Sequence, residues 1–259
     1  IQSVAESLLE KAEASLGIEG GTIIVMDPSS GKILTLASWP TFDPNTYSKV
    51  EDIAVFQNPA IQKMYEPGSI FKPITMGSAL DAGVVTPETT YIDNGIVKIG
   101  GRTIYNYDQR VWGKRTMTEV LEFSINTGVV FAERELGHEK FLEYVEKFGI
   151  FEPTNIELAG EVFSKNTEFK KGYEVNFSTA AFGQGIAMTP LQILKAFSVF
   201  ANNGQLANPY IIEGNHNGKK QRQVISPHAA SQITSMLTSV VQTGYAKTAQ
   251  IPGYHVAGK

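Results

Sequence analysis

The sequence predicts an α+β domain, on three observations. An amphipathic helical pattern opens the chain, a β-rich hairpin follows it, and capped helical patterns with no internal repeat fill most of the remainder. With 259 residues, 42% of them apolar, the chain is long enough to close a core of its own. One domain is expected, with strands at its N-terminal end and a helical middle.

Ile1, Val4, Ala5, Leu8, Leu9 and Ala12 recur at helical spacing with Glu and Lys opposite, which predicts a surface helix rather than a leader segment. Residues 22–26 and 33–37 are β-rich and nearly all apolar, and Asp27-Pro28-Ser29-Ser30-Gly31 between them is a run of turn formers. They predict a hairpin covered on both faces, with the first helix on one of them. A polar loop with Pro40, Pro44 and Pro59 leads into "YEPGSIFKPIT", residues 65–75. The Gly-, Tyr- and Asn-rich stretch 86–115 reads as irregular surface structure with short β-like pieces. "TMTEVLEFSINTGVVFAERELG" reads as helix, break, helix, and "EKFLEYVEKFG" as a further helix stopped by Gly149. Thr189 and Ser226 are N-cap residues for two more helices, each with proline next (Pro190, Pro227) and glycine past the end (Gly204, Gly244).

Composition excludes several classes of function. The net charge is −4 and the basic residues are scattered, so there is neither a nucleic-acid footprint nor a polybasic membrane patch. Without cysteine there is no disulfide, zinc-thiolate site or thiol nucleophile. No apolar run approaches the roughly 20 residues of a membrane span. His138, His216, His228 and His255 sit in polar contexts without metal-ligand spacing, so no metal and no cofactor are expected.

Three places carry candidate chemistry. Ser69 and Lys72 lie three residues apart just after Pro67-Gly68, in an otherwise apolar stretch. Serine is a poor nucleophile until a base takes its proton, and a buried lysine whose pKa falls toward neutrality can be that base. Positions i and i+3 share a helix face, and amides at a helix mouth favour negative charge on a substrate. Pro73 opposes this locally, because it disfavours helical geometry at Lys72. Spacing alone is weak: Ser29 and Lys32 repeat it in the hairpin turn, where both should be solvated. The second place is "SIN", where Ser124 can relay a proton and Asn126 can fix a peptide-like substrate; the simpler alternative is that either one caps the next helix. Ser164 and Asn166 repeat that spacing in a polar loop. The third is the closing "AGK", with Lys259 as a candidate charge and a solvated tail as its alternative.

In that order and at these separations, "EPGSIFKP", "SIN", "FGQGIAMTPLQ" and "IPGYHVAGK" resemble the transpeptidase domain of penicillin-binding proteins, specifically the monofunctional class B type. The opening "GGTIIVMDPSSGKILTLASWPTFDPN" resembles the start of that domain, so the likeness runs along essentially the whole chain. It implies the penicillin-binding protein and serine β-lactamase-like fold: an antiparallel sheet flanked by helices, with a helical subdomain. Residues 1–259 would be a single transpeptidase domain, with its sheet portion at about 1–40 and 250–259 and a mainly helical portion at about 60–245. Ser69 would be acylated, Lys72 would be its base, and Ser124 would relay a proton to the leaving group. Asn126 would hold the substrate backbone, and Lys259 would be the lysine of the family's Lys-Thr-Gly strand. Gly183 and Gly185 of "FGQG" resemble the segment leading into the following helix, or simply a loop needing flexible backbone.

The implied reaction is acyl transfer from the D-alanyl-D-alanine end of a peptidoglycan stem peptide to an amine on a neighbouring strand, and β-lactams would acylate the same serine. Implied partners are stem peptides, β-lactams, a glycosyltransferase of the cell-wall machinery, and a second chain or fragment supplying the missing C-terminal strands. No nucleic acid is among them. The implied location is the outer face of the cytoplasmic membrane, with the parent protein anchored by an N-terminal helix absent here. The chain departs from the family by stopping at Lys259, before the Thr-Gly and the strands that would follow. It lacks the pedestal domain as well, so an inactive structural fragment and a β-lactam sensor stay open as alternatives. A serine β-lactamase is disfavoured by the lack of a Glu-x-x-x-Asn loop after Ser124, and a Ser-His-Asp hydrolase by the lack of a Gly-x-Ser-x-Gly elbow at Ser69.

Overall fold

The computed structural model describes residues 1–214 and 221–259. Helix α1 (Gln2–Leu16) stops at Gly17, whose left-handed φ of 63° costs a glycine nothing. Its buried Ala5 and Leu9 lie on Ala37, Ile23 and Trp39 of the hairpin formed by β1 (Gly21–Met26) and β2 (Ile33–Trp39). Ile24, Ile33 and Leu36 pack on the other face against Ala60 and Ile61 of the short α2 (Pro59–Gln62), and against Ile156 and Leu191. The hairpin is thus covered on both faces, as its unbroken apolar runs predict.

Helix α3 (Lys72–Asp81) runs through the centre, and every residue from Lys72 to Leu80 is buried. A helix made of apolar and small residues on all sides has no face to give to solvent. It packs against α4 (Met117–Glu122), α5 (Asn126–Leu136), α6 (His138–Lys147) and, later in the chain, α10 (Pro227–Gln242). Between α6 and α10 come α7 (Thr167–Lys170), α8 (Glu174–Ala180) and α9 (Pro190–Ala201). Thr189 caps α9 through Gln192 N and Ser226 caps α10 through Ala229 N, where the sequence places both caps. Thr116 and Glu119 form a further capping box on α4.

The stretch 86–115 is more regular than its composition suggests. Strands β3 (Thr90–Asp93), β4 (Ile96–Ile99), β5 (Arg102–Tyr105) and β6 (Gly113–Thr116) make two nested hairpins, β4–β5 inside β3–β6. Each strand is four residues long, too short for alternation to register, and the outer pair is held by a buried aspartate as well as by its ladder. A last short pair joins β7 (Gln205–Leu206) to β8 (Arg222–Gln223).

The strand expected within 250–259 does not form. This segment follows a 3-10 turn, Lys247–Ala249, has a turn at 252–253 and no strand, and it attaches to the helices: Gly258 N donates to Leu237 O of α10 at 3.2 Å. That bond goes to a helix carbonyl rather than to a neighbouring strand, so it starts no ladder.

Candidate active site

The chain enters α3 through a 3-10 turn, Gly68–Phe71, in which Gly68 has φ 57° and Lys72 N donates to Ser69 O. In such a turn residues i and i+3 eclipse, which puts Ser69 and Lys72 on one side of the helix mouth. Ser69 is exposed, whereas Lys72 is 0% exposed. Lys72 keeps helical angles (φ −53°, ψ −38°) despite Pro73, a local cost offset by packing around a wholly buried side chain.

Helix α4 ends at Glu122, two residues before Ser124, which sits at φ 54° in the left-handed region. A side chain there costs about 1–2 kcal/mol relative to ordinary backbone. The bend aims the residue inward: Lys72 Nζ donates to Ser124 O at 2.5 Å and to Ser124 Oγ at 3.1 Å. Asn126 is the first residue of α5, but the N-cap position belongs to Ile125 and carries no side-chain cap bond. Asn126 Nδ2 instead donates to Tyr105 O at 2.9 Å. Helix capping therefore explains neither residue.

Burial, and secondarily the nearby charge of Lys259, holds the Lys72 ammonium well below its ordinary pKa. Burial also brings Lys259 down, to about 8, and its Nζ donates to Leu121 O at 2.8 Å, three residues before Ser124. Lys259, at about 8, stays charged near neutral pH, and that charge adds to burial in lowering Lys72. A neutral amine has two N–H donors and one lone pair. When both donors of Lys72 serve Ser124, the lone pair is free to accept a proton.

The mouth of α3 is braced from the other side by 183–188. Tyr65 and Met188 exchange both backbone hydrogen bonds at 3.0 Å, Gly68 N donates to Gly183 O at 3.0 Å, and Gly185 N donates to Glu66 Oε1 at 2.9 Å. Gly183 has φ 80°, and a Cβ there would stand 2.1 Å from Gly68 O. Both the backbone angle and the lack of room require glycine. Gly183→Ala is expected to displace Gly68 and Ser69, lowering the melting temperature and slowing acylation at Ser69 by about tenfold or more. A thermal melt with a labelling time course checks it, and an unchanged labelling rate would mean that this brace does not hold the serine.

Ser69, Ser124 and Asn126 line one cleft of about 620 Å³. Neither Lys72 nor Lys259 lines it: Lys72 is buried behind it, with its amine on Ser124, and Lys259 is half-buried, with its amine on Leu121 O. The remaining wall is aromatic and polar, with Tyr105, Asn106, Tyr107, Arg110, Phe123 and Tyr245. Arg110 Nη1 donates to Tyr245 Oη at 2.8 Å across it. Sequence reasoning missed this wall because most of it comes from 86–115; the richness of that stretch in Tyr and Asn was the available signal. The repeats of the two spacings lie elsewhere. Ser29 and Lys32 are exposed in the hairpin turn, with Ser29 bonded to Asp27. Asn166 is buried and pins Ala187 through N and O. Of the histidines, His138 pairs with Glu133, His228 and His255 are exposed, none of these three lines the cleft, and His216 lies outside the described residues. Among the described residues no helix is long and apolar enough to cross a membrane.

The model of the penicillin-binding protein transpeptidase domain matches residues 21–259. The chain is 34% identical over its full length to stage V sporulation protein D of Bacillus subtilis, covering 42% of that protein. It is 30% identical to the peptidoglycan D,D-transpeptidase FtsI homolog of Mesostigma viride, over 92% of this chain and 45% of the relative. The chain thus spans less than half the length of these curated relatives. Among solved structures, a peptidoglycan glycosyltransferase from Burkholderia ambifaria superposes with a TM-score of 0.88 at 26% identity, over 100% of this chain and 78% of the other. Penicillin binding protein 3 of Mycobacterium tuberculosis, complexed with aztreonam, gives 0.86 at 26% identity, over 98% and 60%.

Proposed function

The chain belongs to the penicillin-binding protein transpeptidase family, and from that premise we propose that it carries out the serine acyl transfer of a peptidoglycan D,D-transpeptidase. The observation that carries this reading is the wholly buried amine of Lys72, one turn from Ser69 and bonded to both oxygens of Ser124.

Ser69 Oγ attacks the carbonyl of the D-alanyl-D-alanine bond while its proton passes to the Lys72 lone pair. As the tetrahedral intermediate collapses, the C–N bond breaks and the leaving D-alanine nitrogen takes a proton through Ser124, whose hydroxyl is replenished by Lys72. An amine of a second stem peptide then attacks the ester, forming the cross-link and returning Ser69. Asn126 keeps an amide oxygen and one N–H after serving Tyr105, enough to fix a peptide group of the donor. Lys259 supplies positive charge beside the site. A β-lactam enters by the same first step and leaves an ester on Ser69. The same reading places the parent protein at the outer face of the cytoplasmic membrane, anchored there and working beside a glycosyltransferase.

The test is covalent labelling of the parent protein with a fluorescent penicillin, followed by mapping of the adduct by tandem mass spectrometry. The expected result is one adduct, on Ser69. An adduct on another residue, or none, would overturn the proposal.

A further inference from the structure

Behind the aromatic wall lies a carboxylate that takes no part in the steps above. Asp93, at the end of β3, is 1% exposed and accepts four hydrogen bonds from four different segments. Its Oδ1 accepts from Gly95 N at 3.0 Å and from Thr127 Oγ1 at 2.6 Å; its Oδ2 accepts from Asn106 Nδ2 at 2.9 Å and from Trp112 N at 2.7 Å. A buried carboxylate is tolerated when its lone pairs are met, and here each oxygen has two donors.

Two of those donors hold the substrate side of the cleft. Asn126 Nδ2 reaches Tyr105 O, and next to it Thr127 N donates to Asn106 Oδ1 at 3.1 Å. The consecutive residues 105–106 and 126–127 are therefore laced together twice. Tyr105, Asn106 and Asn126 line the cleft, and Asp93 grips Asn106 and Thr127 from behind. The third donor, Trp112 N, precedes β6, and the Trp112 ring stacks on Phe123 at 4.9 Å, which meets Tyr245 edge-on at 5.9 Å. One buried group thus links Asn126 and Tyr105 with the aromatic wall. It makes no bond to Ser69, Lys72 or Ser124, whose placement comes from α3, the α4–α5 bend and the Gly183 brace.

We infer that Asp93 is a positioning residue for the substrate side of the cleft: acting through Asn106, Thr127 and Trp112, it sets how tightly the non-covalent complex forms and leaves the acylation step itself largely alone. This rests on the acyl-transfer reading of the cleft. Asp93→Asn puts an NH2 where two N–H or O–H donors point, so at least two of the four bonds are lost while volume is kept.

The experiment is acylation of the parent protein by a fluorescent penicillin over a range of concentrations. It separates the limiting rate from the half-saturating concentration, with thermal melts alongside. Asp93→Asn is expected to raise the half-saturating concentration about tenfold or more while the limiting rate stays within about threefold of wild type. Thr127→Val, which removes one hydroxyl from the hub, should shift the half-saturating concentration in the same direction by about fivefold, and Thr127→Ser should restore it. A purely structural role would lower the melting temperature and leave that concentration unchanged; this outcome, in Asp93→Asn or, if that variant does not fold, in Thr127→Val, overturns the inference. A fall confined to the limiting rate also overturns it, by moving Asp93 to the chemical step. A wild-type protein that takes no label overturns the acyl-transfer reading and this inference with it.

Discussion

Replacing Lys72 with alanine should slow acylation of Ser69 by about a thousandfold, within the range a positioned acid–base group supplies. That is about 4 kcal/mol of activation free energy. The substitution removes the amine that is bonded to both Ser124 O and Ser124 Oγ, and with it the proposed acceptor for the serine proton. Stability should change far less, by about 1–2 kcal/mol, because lost packing of the aliphatic stem is offset by no longer keeping an amine out of water. Pre-steady-state labelling with a melt of the same sample separates the two effects. An acylation rate within about threefold of wild type would remove Lys72 from the role of base.

The second large effect is one of pH. In the proposed reaction Lys72 is a base only when neutral, so acylation should rise with pH through its depressed pKa and fall away in acid. The charge on Lys259 is one of the two causes of that depression. Lys259→Gln removes it, so the Lys72 pKa should climb back toward 10.5 and the acid limb of the acylation profile should move to higher pH. At neutral pH the variant should lose about tenfold or more in rate, and part of the loss should be recovered in alkaline buffer. A profile that keeps its midpoint, or moves to lower pH, would show that Lys259 does not tune the base. Stability carries the matching sign. Both lysines bind protons less readily when folded, so their cost is fully present at low pH. For Lys259 it is relieved as pH rises from about 8 toward 10.5.

What was legible in the sequence is what local chemistry determines. Thr189 with Pro190 and Ser226 with Pro227 mark two helix starts because capping is a contest between neighbouring residues, and the structure forms both caps. The apolar runs of the hairpin show two covered faces for the same reason. The region 86–115 was opaque because its strands are four residues long and its order depends on Asp93 meeting Thr127, 34 positions away. The strand expected within 250–259 failed in the same way, since a strand exists only with a partner, and Gly258 finds a helix carbonyl. Within the site, spacing singled out Ser69 with Lys72 and Ser124 with Asn126 only together with their setting, the Pro67-Gly68 entry and the break between two helices, because Ser29 with Lys32 and Ser164 with Asn166 repeat both spacings. The depth of Lys72, its two bonds to Ser124 and the aromatic wall could not be read, because each arises from segments brought together only by the fold.

The left-handed backbone at Ser124 bears on how such chains tolerate change. Glycine or asparagine would satisfy φ 54° with less strain, so a search of sequence space ranked by stability alone would discard the serine at the very position where Lys72 Nζ meets a hydroxyl. Consensus-style stabilisation of this chain should therefore be barred from residue 124, and a thermally hardened variant carrying glycine there would be well folded without the hydroxyl that the proposed acyl transfer uses as its relay.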